Sequence, residues 1–534
     1  MKTIKYLLIL LTLASALWGC KNELEEKVYD FYSPNNLYKT QEDAESAITG
    51  MYGYLHSWNF FKAPYLFGED VDHDHVVGPQ WIMSDMGAGN FNNYWGTSAL
   101  WVGWYSLVSQ SNITLEKVPG IKMASDSVKN RILGEAYFFR AWSYYNLTRL
   151  WGPVPLRLEN VSSGAPIDLA RAPVTEVYNQ VIADLQKAEQ LLPLRFSPNA
   201  GAAGKVNRGA AKTLLAKTYA TMASSALNAE QLTVRGKTYT KDVVKGYESL
   251  DSKALYTKAR DKALEVIQGG EFNLMPTFMQ VWGRANKNNP EMIWELQTQD
   301  NDTYGTLLQY YYSAPWYGGT SYQWMSAKLY DSYTAKDTRA VDGVFHQYYM
   351  YGAWMLYPER DTTLYKSVSG GFTAKFYPAY SHPFTKKYWL GASTEIGATG
   401  TTVRAGNRDC DFPLLRYADL LLIYAEAENE INGPTQAAYA QLNKIRERSK
   451  LAAASGLNKQ EFRSLVFEER GKELYQEVNR RHDLIRWGVY LQVMNDLGTD
   501  ENVIKTRSDK NLLFPIPQDE INSNKLIGVN NPGW

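Results

Sequence analysis

The sequence predicts a mostly α protein: a tetratricopeptide-like scaffold of helical pairs, interrupted by a large, irregular, loop-rich insertion carrying short β-strands. Three observations carry that reading. Apolar residues recur at helical spacing from about 126 to 270. The same design returns from about 414 to 490. Residues 53–100 and 271–413, by contrast, are rich in Gly, Trp and Tyr or Asn and show no long helical period.

Asp126–Trp151 reads as one helix, because Leu133, Ala136, Tyr137, Ala141, Tyr144 and Leu147 share a face at about 100° per residue. Gly152-Pro153 stops it. A second helix runs from Val174 to Leu192, ended by Pro193. A third, Arg208–Met222, aligns Ala211, Leu214, Leu215, Thr218 and Met222. A fourth follows Asp251, aligns Tyr256, Ala259, Ala263, Leu264 and Ile267, and closes at Gly269-Gly270. Within the first irregular stretch only Trp101–Lys117 reads as helical.

Near the C-terminus Leu414–Ile431 reads as helical, Asn432-Gly433-Pro434 stops and restarts the chain, and Ala437–Arg448 follows. Asn458 with Glu461 makes a capping-box start for a helix running towards Arg480. Leu414 to Ser449 spans 36 residues, close to the roughly 34-residue period of a tetratricopeptide unit. Small inner residues such as Ala418, Ala425 and Ala438 allow the close helix approach such pairs need.

The first residues are an address. Lys2 and Lys5 flank the start of an apolar run, Tyr6–Trp18, that ends in Gly19-Cys20. That run is shorter than the roughly 20 apolar residues of a spanning helix, so residues 1–19 read as a signal peptide. A cysteine at this point looks like a bacterial lipobox, with acylated Cys20 as the mature N-terminus. Two or more acyl chains anchor a protein stably. Residues 20–35 then form a tether and 36–534 a single domain. With Cys410 the only other cysteine, disulfides are excluded as the main source of stability.

The 56 basic and 56 acidic residues balance, which argues against nucleic acid as partner. The chain carries 16 Trp and 38 Tyr against 18 Phe. A core filled for apolar volume alone favours Phe, because each buried hydroxyl or indole N–H needs a partner. Helix packing accounts for more than half of these rings; the rest belong at surfaces or in wet clefts.

Several segments carry a family resemblance. Gly134-Glu135-Ala136-Tyr137-Phe138-Phe139-Arg140-Ala141, followed by Leu150-Trp151-Gly152-Pro153-Val154-Pro155-Leu156, resembles the first signature of the SusD/RagB family. Pro413-Leu414-Leu415-Arg416-Tyr417-Ala418-Asp419-Leu420 with Tyr424-Ala425-Glu426-Ala427 is similar to its second. Leu442–Arg446, Glu469-Arg470, Arg481–Trp487, Leu513–Pro517 and the terminal Asn531-Pro532-Gly533-Trp534 complete the series. The resemblance implies an outer-membrane lipoprotein of a Gram-negative bacterium, lipid-anchored and surface-exposed. It implies a lid on a SusC-like TonB-dependent transporter that captures oligosaccharides or, in a RagB-like minority, peptides.

The signature residues read as structural. Glu469 and Glu473 share a helix face with Phe462, Leu465 and Val466, and with Arg470, Arg480, Arg481, Asp483 and Arg486 they form a buried or half-buried ion-pair network. Glu426 invites the same interpretation. Asp70-Val71-Asp72-His73-Asp74-His75 is the most metal-like run, but no further residue closes a zinc site, and a polar loop beside the binding face is the expectation. The sequence offers no cofactor motif, no nucleophile elbow, no P-loop and no His-Glu-x-x-His, so no catalytic, metal or cofactor residue is assigned and the protein is not read as an enzyme.

What remains is the aromatic loop set. One cluster is Trp81, Asn90, Asn92, Asn93, Tyr94 and Trp95; the other is Tyr310, Tyr311, Tyr312, Trp316, Tyr317, Tyr322 and Trp324, with Tyr351 and Trp354 nearby. Sugar rings rest an apolar C–H face on an aromatic plane while amides meet their hydroxyls. The expected ligand residues are Trp81, Asn92, Trp95, Tyr311, Trp316, Tyr322, Trp324 and Trp354. Oligosaccharide capture is the leading reading. Peptide capture, a surface glycoside hydrolase and a purely scaffolding repeat protein stay as alternatives.

Overall fold

The computed structural model describes residues 38–534 apart from 199, 316, 318, 321, 360–373 and 391–407. Cys20, the leader, the tether and Trp316 lie outside the described residues. The protein is mostly α, as expected. Thr40 and Asp43 form a capping box that starts α1 (Gln41–Tyr54), a helix the periodicity did not reveal. A π-helical run, Trp58–Gly68, follows, then β1 (Val76–Val77), α2 (Gln80–Met83), α3 (Gly96–Lys117) and α4 (Asp126–Trp151). The strands β2 (Val154–Pro155) and β3 (Arg171–Ala172) pair before α5 (Val174–Leu191) and α6 (Arg208–Ala226). The hairpin β4 (Gln231–Val234) and β5 (Lys237–Thr240) precedes α7 (Ser252–Gly269).

The irregular stretch carries β6 (Met292–Leu296), α8 (Leu308–Tyr312), β7 (Trp324–Met325), α9 (Ala327–Ser332) and α10 (Thr338–Val341). It continues through β8 (Val344–Phe345), β9 (Gln347–Met350), β10 (Ala353–Leu356) and β11 (Phe384–Thr385) to β12 (Phe412–Arg416). The helices α11 (Tyr417–Asn432), α12 (Gln436–Arg448), α13 (Lys459–Glu473), α14 (Arg480–Arg486) and α15 (Tyr490–Leu497) come next. The hairpin β13 (Thr499–Asp500) and β14 (Val503–Ile504) and then α16 (Gln518–Ser523) end the chain. All sheets among the described residues are two-stranded and antiparallel. No helix among them is long and apolar enough to cross a membrane.

Successive helices pack pairwise: α4 against α3 and α5, α6 against α5 and α7, and α11 against α7, α12 and α13. Side-chain caps start many of them, from Ser125, Asn207, Asp251 and Thr435, and the Asn458–Glu461 capping box forms as expected. Three expectations need correction. Helix α4 is buried nearly all round between Phe138 and Leu147, not along one stripe, because α3 and α5 cover opposite sides. Leu414–Arg416 is not helical; it belongs to β12, which pairs with β6. And α13 stops at Glu473, because Gln476 and Val478 take positive φ (58° and 55°) and break the path to α14.

The core is unusually aromatic. Trp104 meets Trp142 edge-on at 4.9 Å, and Trp142 meets Trp294 at 4.7 Å. Trp151 donates its indole N–H to the Pro515 carbonyl at 2.9 Å, and Asn531 donates to the Trp151 and Phe514 carbonyls. At Gly152 (φ 69°) an added Cβ would lie 2.9 Å from Leu513. The Trp-Gly-Pro segment, the Leu-Phe-Pro-Ile-Pro segment and the C-terminus therefore lock onto one another.

The signature charges are buried in ion pairs, but not as the single expected network. Among the described residues Glu469 and Glu473 pair with Arg339, Arg416, Arg446 and Arg448, and Arg480 and Arg481 pair with Asp74 and Asp72. Only Asp483 meets its expected partners, Arg470 and Arg486. Arg470 bridges Asp419 (2.7 Å) and Asp483 (3.0 Å), and Arg486 bridges Asp483 and Glu426. Arg416 holds Glu291, Glu473 and Glu477 together at 2.5, 2.6 and 2.9 Å. Arg448 joins Glu291 to Glu473, while Arg339 joins Asp337, Glu469 and Glu473.

The Asp70–His75 run is not a polar loop beside a binding face. It is buried, and its charges are spent inward: Asp74 accepts two bonds from Arg480 (2.8 and 2.9 Å), and Asp72 accepts from Arg481, Arg507 and the Tyr490 hydroxyl. Lys505, also buried, donates to the His73 and Val76 carbonyls. The arginines sit more than 400 positions away, so sequence spacing could not show them.

Beside this run Glu69 meets His482 at 3.2 Å. Burial raises the Glu69 carboxyl to about 8, against the pull of Arg149 and Arg481, and burial keeps the His482 imidazole neutral. A carboxyl whose folded pKa exceeds its unfolded one contributes full stability below the unfolded value and loses it as pH rises through the folded value. In urea titrations Glu69 therefore contributes a decline in stability from pH 5 to 8, set against the rise up to about pH 6.5 that the buried, neutral His75 and His482 contribute. Glu69→Gln, which can still donate to His482, should flatten part of that decline; an unchanged slope would refute the assignment.

Candidate ligand-binding site

The two irregular stretches meet through β1 and β7, with Val76 opposite Met325 and Val77 opposite Trp324. Gly78 permits the crossing, because an added Cβ would lie 2.6 Å from the Tyr322 carbonyl oxygen. The chain then turns at Pro79 into α2 and presents Trp81, which is 66% exposed. Its ring stands edge-on to Tyr322 at 5.0 Å. Tyr322 in turn meets Tyr310 at 5.4 Å, their hydroxyls 3.4 Å apart.

Beneath this outer tier lies a buried one. Tyr311 runs nearly parallel to Tyr322 at 6.2 Å and touches Phe67 at 4.8 Å. Burial, reinforced by Tyr310 and Tyr322, lifts the Tyr311 phenol well above its usual range, so it stays neutral. Tyr94 is half-buried between Gly68 and Gly96, where added Cβ atoms would lie 2.7 and 2.1 Å from its ring. Next to it Trp95 is half exposed, 5.8 Å from Tyr94, and Asn92 is exposed just before them. The result is an exposed indole standing on a half-buried tyrosine pair, with Tyr311 and Phe67 beneath it.

Of the residues singled out from sequence, Trp81, Trp95 and Asn92 are exposed and Tyr322 is half-buried. Three others are corrected to packing positions. Tyr311 is the buried tier just described. Trp324 stacks on His382 at 4.0 Å and donates its indole N–H to Glu501 at 3.1 Å. Burial alone would raise the Glu501 carboxyl, but His382, the Ala327 N–H and Trp324 outweigh it and hold it below its usual range. Trp354 packs in β10 against Tyr349 at 5.6 Å. Trp316 lies outside the described residues.

Phe67 was missed because it sits in the apolar π-helical run, with no local sign that it backs the platform. Tyr380, 44% exposed and 5.1 Å from Tyr351, was also missed; its only signal was an exposed-type loop around it.

Comparison with known proteins bears on this geometry. A family described as "SusD family" matches residues 290–534, and a second, described as "Starch-binding associating with outer membrane", matches residues 25–220. The "SusD-like protein P2" of Formosa agariphila is 26% identical, covering 99% of this chain and 100% of that protein. Among solved structures, a SusD homolog from Bacteroides thetaiotaomicron superposes with a TM-score of 0.76 at 20% identity, over 94% of this chain and 98% of that one. "Surface glycan-binding protein A" from Bacteroides thetaiotaomicron superposes at 0.69 and 18% identity, over 93% and 99%.

Proposed function

The chain belongs to the SusD/RagB family, and from that premise we propose that it captures oligosaccharides at the cell surface and passes them, uncleaved, to a SusC-like TonB-dependent outer-membrane transporter. The observation that carries this reading is the row Trp81–Tyr322–Tyr310: a large indole left two-thirds exposed, set on a tyrosine pair whose hydroxyls point together. An indole gains most by being buried. Its exposure on a rigid support therefore favours a partner with a flat C–H face and peripheral hydroxyls, which is a sugar ring. A relative of this fold named as a surface glycan-binding protein supports the same class of ligand.

In this proposal residues 1–19 direct export, acylated Cys20 and the tether to residue 35 hold the protein at the outer membrane, and residues 36–534 act as one unit. The helical pairs are the rigid body; the paired irregular stretches are the ligand face. Trp95 and Asn92 extend the face beyond the row. Binding without hydrolysis is the expected chemistry.

Calorimetry with protein lacking residues 1–20, across laminarin, amylopectin, xylan, mannan and pectin and against a peptide library, tests the reading. It should show micromolar-to-millimolar binding of at least one glycan and no release of reducing ends. Binding confined to peptides, or turnover of a polysaccharide, would overturn it.

A further inference from the structure

Three hairpins among the described residues close with two-residue turns in which both residues take positive φ. They are Arg235-Gly236 (50° and 78°), Tyr351-Gly352 (49° and 78°) and Glu501-Asn502 (44° and 71°). Such turns favour Gly, Asn or Asp at the first position, because a Cβ there crowds the backbone. In two of the three the disfavoured side chain has internal partners. Arg235 faces the buried Asp74 at 4.0 Å, and Glu501 accepts from the Ala327 N–H (2.7 Å) and the Trp324 indole (3.1 Å).

Tyr351 differs. Its ring is 74% exposed, and its ring contact is the edge of Tyr380, itself 44% exposed. Tyr380 is held in place from behind, since the Tyr348 hydroxyl donates to its carbonyl at 2.8 Å. Local strain kept without an internal return points outward, to a function. The turn also forms one wall of an open cleft whose other lining residues are Pro315, Thr320, Tyr349 and Met350. Thr320 donates its N–H and its hydroxyl to the Tyr310 carbonyl, so this cleft adjoins the Trp81–Tyr322–Tyr310 row.

Resting on the glycan reading above, we propose that Tyr351 and Tyr380 form a second saccharide subsite, which engages the far end of an extended oligosaccharide whose first sugars lie on Trp81 and Tyr322. The ligand class is thereby narrowed to chains long enough to cross the Thr320 cleft. Mono- and disaccharides fill only the first row.

The test compares disaccharides and hexasaccharides of laminarin, amylose, xylan and mannan on the wild-type protein, Tyr351→Asn and Tyr380→Ala. Asn is accepted at positive φ, so Tyr351→Asn should melt at the same or a higher temperature. Hexasaccharide affinity should fall about three- to tenfold, the worth of one stacked ring, while disaccharide affinity stays unchanged. A lower melting temperature for Tyr351→Asn, no loss for hexasaccharides, or equal loss at both lengths would overturn the second subsite alone. Failure of the wild-type protein to bind any of these sugars would instead remove the glycan reading, and the subsite with it.

Discussion

Arg416→Ala should destabilise the protein by about 3–5 kcal/mol, the cost of stranding buried charge. Arg416 is 1% exposed, and its guanidinium serves Glu291, Glu473 and Glu477 at once, with a further bond to the Glu473 carbonyl. Arg448, Arg339 and Lys387 remain nearby, but each is already committed to the same carboxylates. A domain's whole stability is about 5–15 kcal/mol, so the loss should appear as a large fall in the urea midpoint or as failure to accumulate. Replacement of one buried charge with an apolar side chain does not rescue it, because the carboxylates stay. An Arg416→Ala protein that melts like wild type would show that the network contributes little.

The same network sets the acid limb. Burial opposes ionisation of Glu473, but Arg448, Arg416 and Arg339 outweigh it and hold the carboxyl well below its usual range. Its contribution is present above the unfolded pKa and disappears as pH falls through the folded one. This limb lies on the acid side of the pH 5 to 8 window in which Glu69 acts.

Trp81→Ala should weaken glycan binding about tenfold or more, while leaving the melting temperature nearly unchanged. The ring is two-thirds exposed and rests on Tyr322 by one edge, so little apolar area returns to water when it is removed. A bound sugar would lose its flat support, and ring contacts of this kind contribute about 0.5–1.5 kcal/mol beyond the area they bury. The contrast is Trp324→Ala. That ring stacks on His382 and satisfies Glu501, so its removal should lower stability by a few kcal/mol. Calorimetry and thermal melts on both variants separate support for a ligand from support for the fold.

Much of the helical frame was legible because its signals are local. Gly152-Pro153 and the Asn458–Glu461 box each act within a few residues. The strand β12 was not, because its partner β6 lies more than a hundred residues earlier and pairing overrode the helical look of Leu414-Leu415. The candidate site was legible as a composition and not as a geometry. Tyr310, Tyr311 and Tyr312 are consecutive on α8, yet only Tyr310 reaches the outer tier. Which ring faces out depends on Phe67 and on the β1–β7 pairing, both supplied by the other stretch. The Asp70–His75 run misled for the same reason, since its counter-charges come from α14 and from Arg507.

The most direct test is a crystal structure of the protein with an oligosaccharide that it retains in solution. The account predicts a sugar ring lying on Trp81 and Tyr322, its neighbour's hydroxyls within hydrogen-bonding reach of Tyr310. A sugar seated on the helical pairs, with Trp81 and Tyr322 untouched, would contradict it.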